Sequence, residues 1–316
     1  MSTQGALTIS IDLELAWGRC DIPYRPDELA TIRAERIVVA RLAELFEKYR
    51  IRATWAIVGH LLLDEPPPWQ ELPHPDLPRP VVADEIRDWL FQLPKDLDPA
   101  WYGNDLLAII QGIQPVQEIG SHSFFHIPFD QAQPAAARAD LAAVQNWHMK
   151  RGLPCQAFVF PRNRVGYLDL LQEIGIRVYR GRTSHWYDRL PSKAAKRLLN
   201  LLNFLLRLPP PTVIPVPAPH GLINLPDSML LLGRNGLRRL VPPGNLIAMA
   251  NSGLERAARQ GRVFHLWFHP SNFSSATEQQ FSILETILDR ADRLREQGHL
   301  AILAMGDHQP RREPLP

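Results

Sequence analysis

The chain has 316 residues, 45% of them hydrophobic, which is enough for one sizeable core and within the range of α/β barrels. Its 35 basic and 33 acidic side chains leave a formal charge of +2, too even for the electrostatic footprint of a nucleic-acid binder, so a small, neutral or weakly charged substrate fits better. Cys20 and Cys155 are the only cysteines, too few for a disulfide scaffold or a four-cysteine metal site, and both are expected to be reduced and structural.

The opening MSTQGALTIS lacks the basic and apolar regions of a signal peptide, and no apolar run approaches the ~18 residues of a membrane span. A cytoplasmic location is expected. In ALTISIDLELAW the apolar Leu7, Ile9, Ile11, Leu13 and Leu15 alternate with Thr8, Ser10, Asp12 and Glu14, the period of a strand, which puts Asp12 and Glu14 on one side. Leu29, Ile32, Leu42, Leu45 and Phe46 then recur at helical spacings between Glu28 and Tyr49, and IRATWAIVG reads as a second strand.

After a proline-rich loop over about 64–99 the rhythm resumes. VQEIG is a strand, about Gln131 to Lys150 a helix, QAFVF a strand, about Gly166 to Glu173 a helix and IRVYR a strand. The block of about 188–261 breaks the alternation and reads as an insertion. It holds KAAKRLLNLLNFLLRL (Lys193 to Leu208), a basic and very apolar helix that suits either a membrane interface or a position packed across a barrel, and then a second proline cluster. RVFHLWF, a helix from about Thr277 to Gln297, and LAILAM close the chain. Seven strand candidates alternating with helices indicate a single domain over residues 1–316, a parallel sheet closed or nearly closed into a β/α barrel, with chemistry at the C-terminal strand ends.

Polar side chains collect at those ends: Asp12 and Glu14 after the first strand, His122 and His126 in IGSHSFFH, Arg162 and Asn163 in FPRNR, and His269 in HLWFHP. Two histidines four residues apart on a helical turn can share one divalent ion, with a carboxylate from another strand completing the set. The second carboxylate would then stand beside the water that attacks, and His269 could give a proton to a leaving group. His265 suits either the site or the barrel filling. Trp101, Tyr102, Trp186 and Trp267 suit either sugar-stacking walls or packing.

SIDLE, EIGSHSFFH, FPRNR and HLWFHP, in that order, resemble the successive motifs of the polysaccharide deacetylases, the carbohydrate esterase family 4 or NodB-homology group. FEKYRIRATWAIVGHLL and LLQEIGIRVYRG are similar to further segments of that family. The resemblance implies a distorted (β/α)7 barrel and metal-dependent removal of an acyl group from a sugar, with an N-acetylated carbohydrate as partner and no nucleic acid. Residue by residue it implies Asp12 as general base, Glu14, His122 and His126 as metal ligands and His269 as general acid. It also implies Arg162 as the group orienting the base and the Asn163 backbone N–H as an oxyanion donor. The family's adjacent pair of aspartates is here Asp12-Leu13-Glu14, which leaves open whether Asp12 itself binds the metal. Zinc suits the ligands, and cobalt, nickel or iron would accept them.

Overall fold

A computed structural model describes residues 4–20, 24–65, 96–184 and 186–309. The strands in chain order are β1 (Gly5–Leu13), β2 (Thr54–Ile57), β3 (Glu118–Ser121), β4 (Ala157–Val159), β5 (Val178–Gly181), β6 (Val216–Pro217), β7 (Ile223–Pro226), β8 (Met229–Leu230), β9 (Val263–Phe268) and β10 (Leu300–Ile302). The helices are α1 (Pro26–Lys48), α2 (Asn104–Gly112), α3 (Pro134–Lys150), α4 (Leu168–Glu173), α5 (Lys193–Leu205), α6 (Pro243–Gln260) and α7 (Thr277–Glu296).

The strands form one curled sheet in the order β6-β7-β5-β4-β3-β2-β1-β9-β8, with β10 paired to Gly5–Leu7 of β1. All pairings are parallel except β6 with β7. β7 and β8 behave as one bent strand: Asp227 N donates to Gly181 O of β5 and Ser228 N to His265 O of β9, so the hydrogen-bonded path runs round the barrel. The fold is thus the β/α barrel expected from the alternation, in the distorted, seven-position form that the family resemblance implied.

β1 is buried along its whole length, as a parallel strand covered on both faces must be. Leu7, Ile9, Ile11 and Leu13 point outward to the helices, where each fully buried aliphatic side chain is worth roughly 1.5–3 kcal/mol. Ala6 points inward with Ala56, Ala157, Val178 and Val263, and the same parity carries Thr8, Ser10 and Asp12 up the barrel interior. α6 comes so close to the foot of β1 that a Cβ on Gly5 would lie 2.3 Å from Ala257 O.

The block of 188–261 contributes more than the expected insertion. Besides α5 it supplies β7 and β8, which close the barrel, and α6, which packs on β1 and α7. α2 was likewise absent from the expected elements. Nearly all of the proline-rich loop of about 64–99 lies outside the described residues. No helix among the described residues is long and apolar enough to cross a membrane.

Candidate active site

Asp12 is the penultimate residue of β1, and its carboxylate is buried at the C-terminal mouth of the barrel. Arg180 of β5 grips it from two sides, Nη1 at 2.7 Å from Oδ1 and Nη2 at 2.6 Å from Oδ2. Burial would raise the Asp12 carboxyl, but Arg180, aided by His122 and His269, more than offsets this and lowers it. Arg180 is itself fixed from below. Its Nη1 donates to Ser10 Oγ at 3.0 Å, the Ser10 hydroxyl lies 2.9 Å from His265 Nε2, and His265 Nδ1 lies 3.1 Å from Pro226 O. That chain selects the neutral His265 tautomer with its proton on Nδ1, and burial holds this imidazole down to about 3. The Arg180 guanidinium also lies 4.2 Å from the Trp267 ring.

Glu14 follows β1 at the start of a 3-10 turn over Leu15–Arg19. Its Oε1 lies 2.9 Å from His122 Nε2, 3.2 Å from His126 Nε2 and 3.5 Å from His269 Nε2. Burial works against its charge, yet His269, His126 and the two short histidine contacts hold it well below the usual carboxylate range. Gly18 leaves it room: a Cβ there would sit 2.0 Å from Glu14 Oε2.

The histidine segment departs from the expected helical turn. After β3 the chain enters an irregular loop with Ser123 at φ 70° and His126 at φ 57°. Asp140 of α3 holds it, accepting from Ser123 Oγ at 3.0 Å, Phe124 N at 2.9 Å and Phe125 N at 2.8 Å, while Ser123 Oγ accepts from Ile127 N. Gly59 N and His60 N donate to Ser123 O and Phe124 O from the end of β2. His122 Nδ1 donates to Val159 O at 2.7 Å, which leaves Nε2 as the ring atom facing Glu14. The loop therefore does what a helical turn would have done, by another backbone route.

Glu14, His122 and His126 present one ligand atom each, all within 4.8 Å of one another; Asp12, Glu14 and His269 form a second, overlapping group. Ligand bonds of about 2.0–2.2 Å at tetrahedral angles place neighbouring ligand atoms roughly 3.3 Å apart. The contacts of 2.9 and 3.2 Å from Glu14 to the two histidines fit a shared ion of that kind.

His269 follows β9, with Nε2 3.7 Å from Asp12 Oδ2 and 3.5 Å from Glu14 Oε1. Burial would lower it, but Glu14 and Asp12 push it up to about 9. Glu35 of α1 is a buried carboxyl that the strand-end reasoning missed, raised to about 8 by burial, with Glu14 adding to the rise and His269 opposing it.

Four expected roles change. Arg162 is exposed, and the guanidinium holding Asp12 comes from Arg180 instead. The Asn163 backbone N–H is already spent on Phe160 O at 2.9 Å, so it is not an open oxyanion donor; the Asn163 side chain sits 3.4 Å from Arg180. Trp101 and Tyr102 are buried in an aromatic cluster with Trp17, Tyr24 and His60 and form no wall of the site. Trp267 lies at the mouth, its ring 5.5 Å from that of His269, and lines a cavity of about 450 Å³ together with Asn163. The Trp186 side chain lies outside the described residues. His265 fills the barrel.

The carboxylates and imidazoles gather at the C-terminal mouth of the barrel, where the chemistry of β/α barrels sits. The fold is that of the polysaccharide deacetylases. The chain aligns over its full length with 96% of a candidate polysaccharide deacetylase from Mycobacterium smegmatis, at a TM-score of 0.61 and 13% identity. A candidate polysaccharide deacetylase from Pseudomonas aeruginosa PAO1 matches 96% of this chain over 88% of its own, at 0.56 and 12%. The Puue allantoinase matches 96% of this chain over 88% of its own, at 0.53 and 11%. No protein-family model and no curated protein matches the sequence.

Proposed function

We propose that the protein is a metal-dependent hydrolase that removes the N-acetyl group of an amino sugar in a glycan or glycan precursor. The observation that carries this is the convergence of Glu14, His122 and His126 on one point, with the Asp12–Arg180 pair and His269 beside it. Glu14 Oε1 and the Nε2 atoms of His122 and His126 would hold a divalent ion, most simply zinc. When bound, such an ion polarises an acyl carbonyl and lowers the pKa of a neighbouring water to about 7.

The chain's own groups supply the rest. Asp12 accepts the proton as water adds to the carbonyl carbon. Its pairing with Arg180 weakens it as a base but fixes both oxygens in place, and a water already near neutrality needs only a weak base. His269 protonates the sugar nitrogen as the carbon–nitrogen bond breaks, so acetate and a free amine leave. With Asn163 N–H committed to Phe160, no backbone donor is assigned to the oxyanion. Trp267 offers an aromatic face at the mouth.

The same fold carries an allantoinase, which favours hydrolysis of a non-sugar amide as the second reading. Acetate release from N-acetylated amino sugars, measured beside ring opening of allantoin on the same metal-loaded sample, separates the two. Turnover of allantoin without acetate release would replace the first reading by the second.

A further inference from the structure

α5 packs Phe204 and Leu201 against the core yet carries a second apolar stripe that faces away from it, whereas a helix on the surface of a lone globular protein turns its apolar stripe inward. At a hundred degrees per residue, Lys196, Asn200, Asn203 and Phe204 share one side, and all four line the cavity that reaches Asn163 and Trp267 at the reaction centre. Leu198, Leu202, Leu205 and Leu206 occupy the opposite side and face solvent, Leu198 at 57% and Leu206 at 67% exposure.

This apolar face continues onto a neighbouring element. Asn245 in the first turn of α6 holds the end of α5, donating to Phe204 O and Leu205 O and accepting from Arg207 Nε at 2.7 Å. The 3-10 turn Gly236–Leu240 leads directly into that first turn and exposes Leu237 (71%) and Leu240 (60%). With Leu208, the two elements hold seven of the thirteen large hydrophobic residues exposed among the described residues, so the exposure is concentrated rather than scattered.

Charge identifies the occupant. Residues 189–254 carry eight Lys or Arg, of which Arg238 and Arg239 are exposed on the turn Gly236–Leu240 itself, against the single acid Asp227, while the remainder of the chain is net acidic. A second copy docking the same face would bring like charge to like charge. A lipid surface with anionic headgroups satisfies the leucines and the cations together.

We propose that α5 and the turn Gly236–Leu240 form a docking face for an anionic bilayer, with α5 lying between the lipid surface and the catalytic cavity. Resting on the deacetylase reading, the consequence is that the acylated amino sugar is presented to the cavity from that surface as part of a lipid.

The test is cosedimentation of the full chain with phosphatidylcholine vesicles containing one quarter phosphatidylglycerol, beside pure phosphatidylcholine. Binding is expected to the anionic vesicles, weakened by high salt. Leu202→Glu with Leu206→Glu should abolish it while circular dichroism and thermal melting stay as in the wild type, since both positions are exposed. Arg238→Glu with Arg239→Glu should lower partitioning by roughly thirtyfold or more. Absence of binding at low salt overturns the proposal, as does binding that survives the leucine exchanges. A dimer in sedimentation velocity that the same leucine exchanges dissolve, without vesicle binding, assigns the face to a second copy instead. No turnover enters these measurements, so a protein that binds vesicles but releases no acetate would overturn the deacetylase reading and leave the docking face standing.

Discussion

Arg180 carries more of the site than any other residue missed by strand-end reasoning. Its side chain is fully buried, and it satisfies Asp12 with two hydrogen bonds while Ser10, held in turn by His265, fixes its position. Removing one member of a buried ion pair leaves the other uncompensated and costs about 3–5 kcal/mol. Arg180→Ala should therefore lower the melting temperature and abolish acetate release, and should cost more stability than Arg162→Ala at its exposed position. Equal losses of stability in the two variants would show that the guanidinium on Asp12 has been misassigned. His60 is the opposite case: a buried imidazole ringed by Trp17, Tyr102 and Phe125 whose two nitrogens find no hydrogen-bond partner among the described residues.

At the scale of elements, the loop after β3 shows what could be read from the chain and what could not. That His122 and His126 meet on one point was legible from their spacing, and the strand before them from its apolar run. The backbone between them was not, because Ser123 and His126 adopt left-handed conformations stabilised by an acid seventeen residues beyond Ser123. Asp140 receives three hydrogen bonds from the loop, so Asp140→Ala should cost about 3 kcal/mol and loosen the histidines, and Ser123→Ala about 1 kcal/mol. Urea unfolding measures both, and an Asp140→Ala protein as stable as wild type would contradict the role. β7 and β8 were hidden for a different reason: four and two residues long, they sit in a proline-rich stretch whose composition reads as loop, and only their pairing with β5 and β9 makes them strands. Arg180 did leave a signal, a cation at an inward position of a barrel strand.

Over the whole molecule, the alternation of strands and helices was enough to give the barrel, because both layers of its core follow period-2 and period-3.6 patterns. The interior also stores a pH dependence. Burial depresses His60 and His265 to about 3 and His148 to about 4, so each is neutral when folded and takes up a proton on unfolding below its usual value near 6.5. For these three groups the unfolded state then binds more protons, so their contribution should be full above about pH 7 and fall progressively as pH drops toward 4, each adding up to about 1.4 kcal/mol per pH unit, while Glu35 and His269, held up to about 8 and about 9, act in the opposite sense and lose their contribution as pH rises toward those values. His60→Phe, which keeps the aromatic cage filled, should shallow that slope by one proton. An unchanged slope of unfolding free energy against pH would contradict the assignment of His60 as a buried neutral group.

The most direct test of the whole account is metal content by elemental analysis, with acetate release from N-acetylated amino sugars assayed on the same samples, for wild type beside Glu14→Ala, His122→Ala and Asp12→Asn. The expected result is about one divalent ion per chain in wild type and Asp12→Asn, loss of the ion in the other two, and acetate release from wild type alone. A wild-type protein that takes up no ion on reconstitution, or a Glu14→Ala variant that keeps it, would contradict the metal centre and with it the proposed hydrolysis.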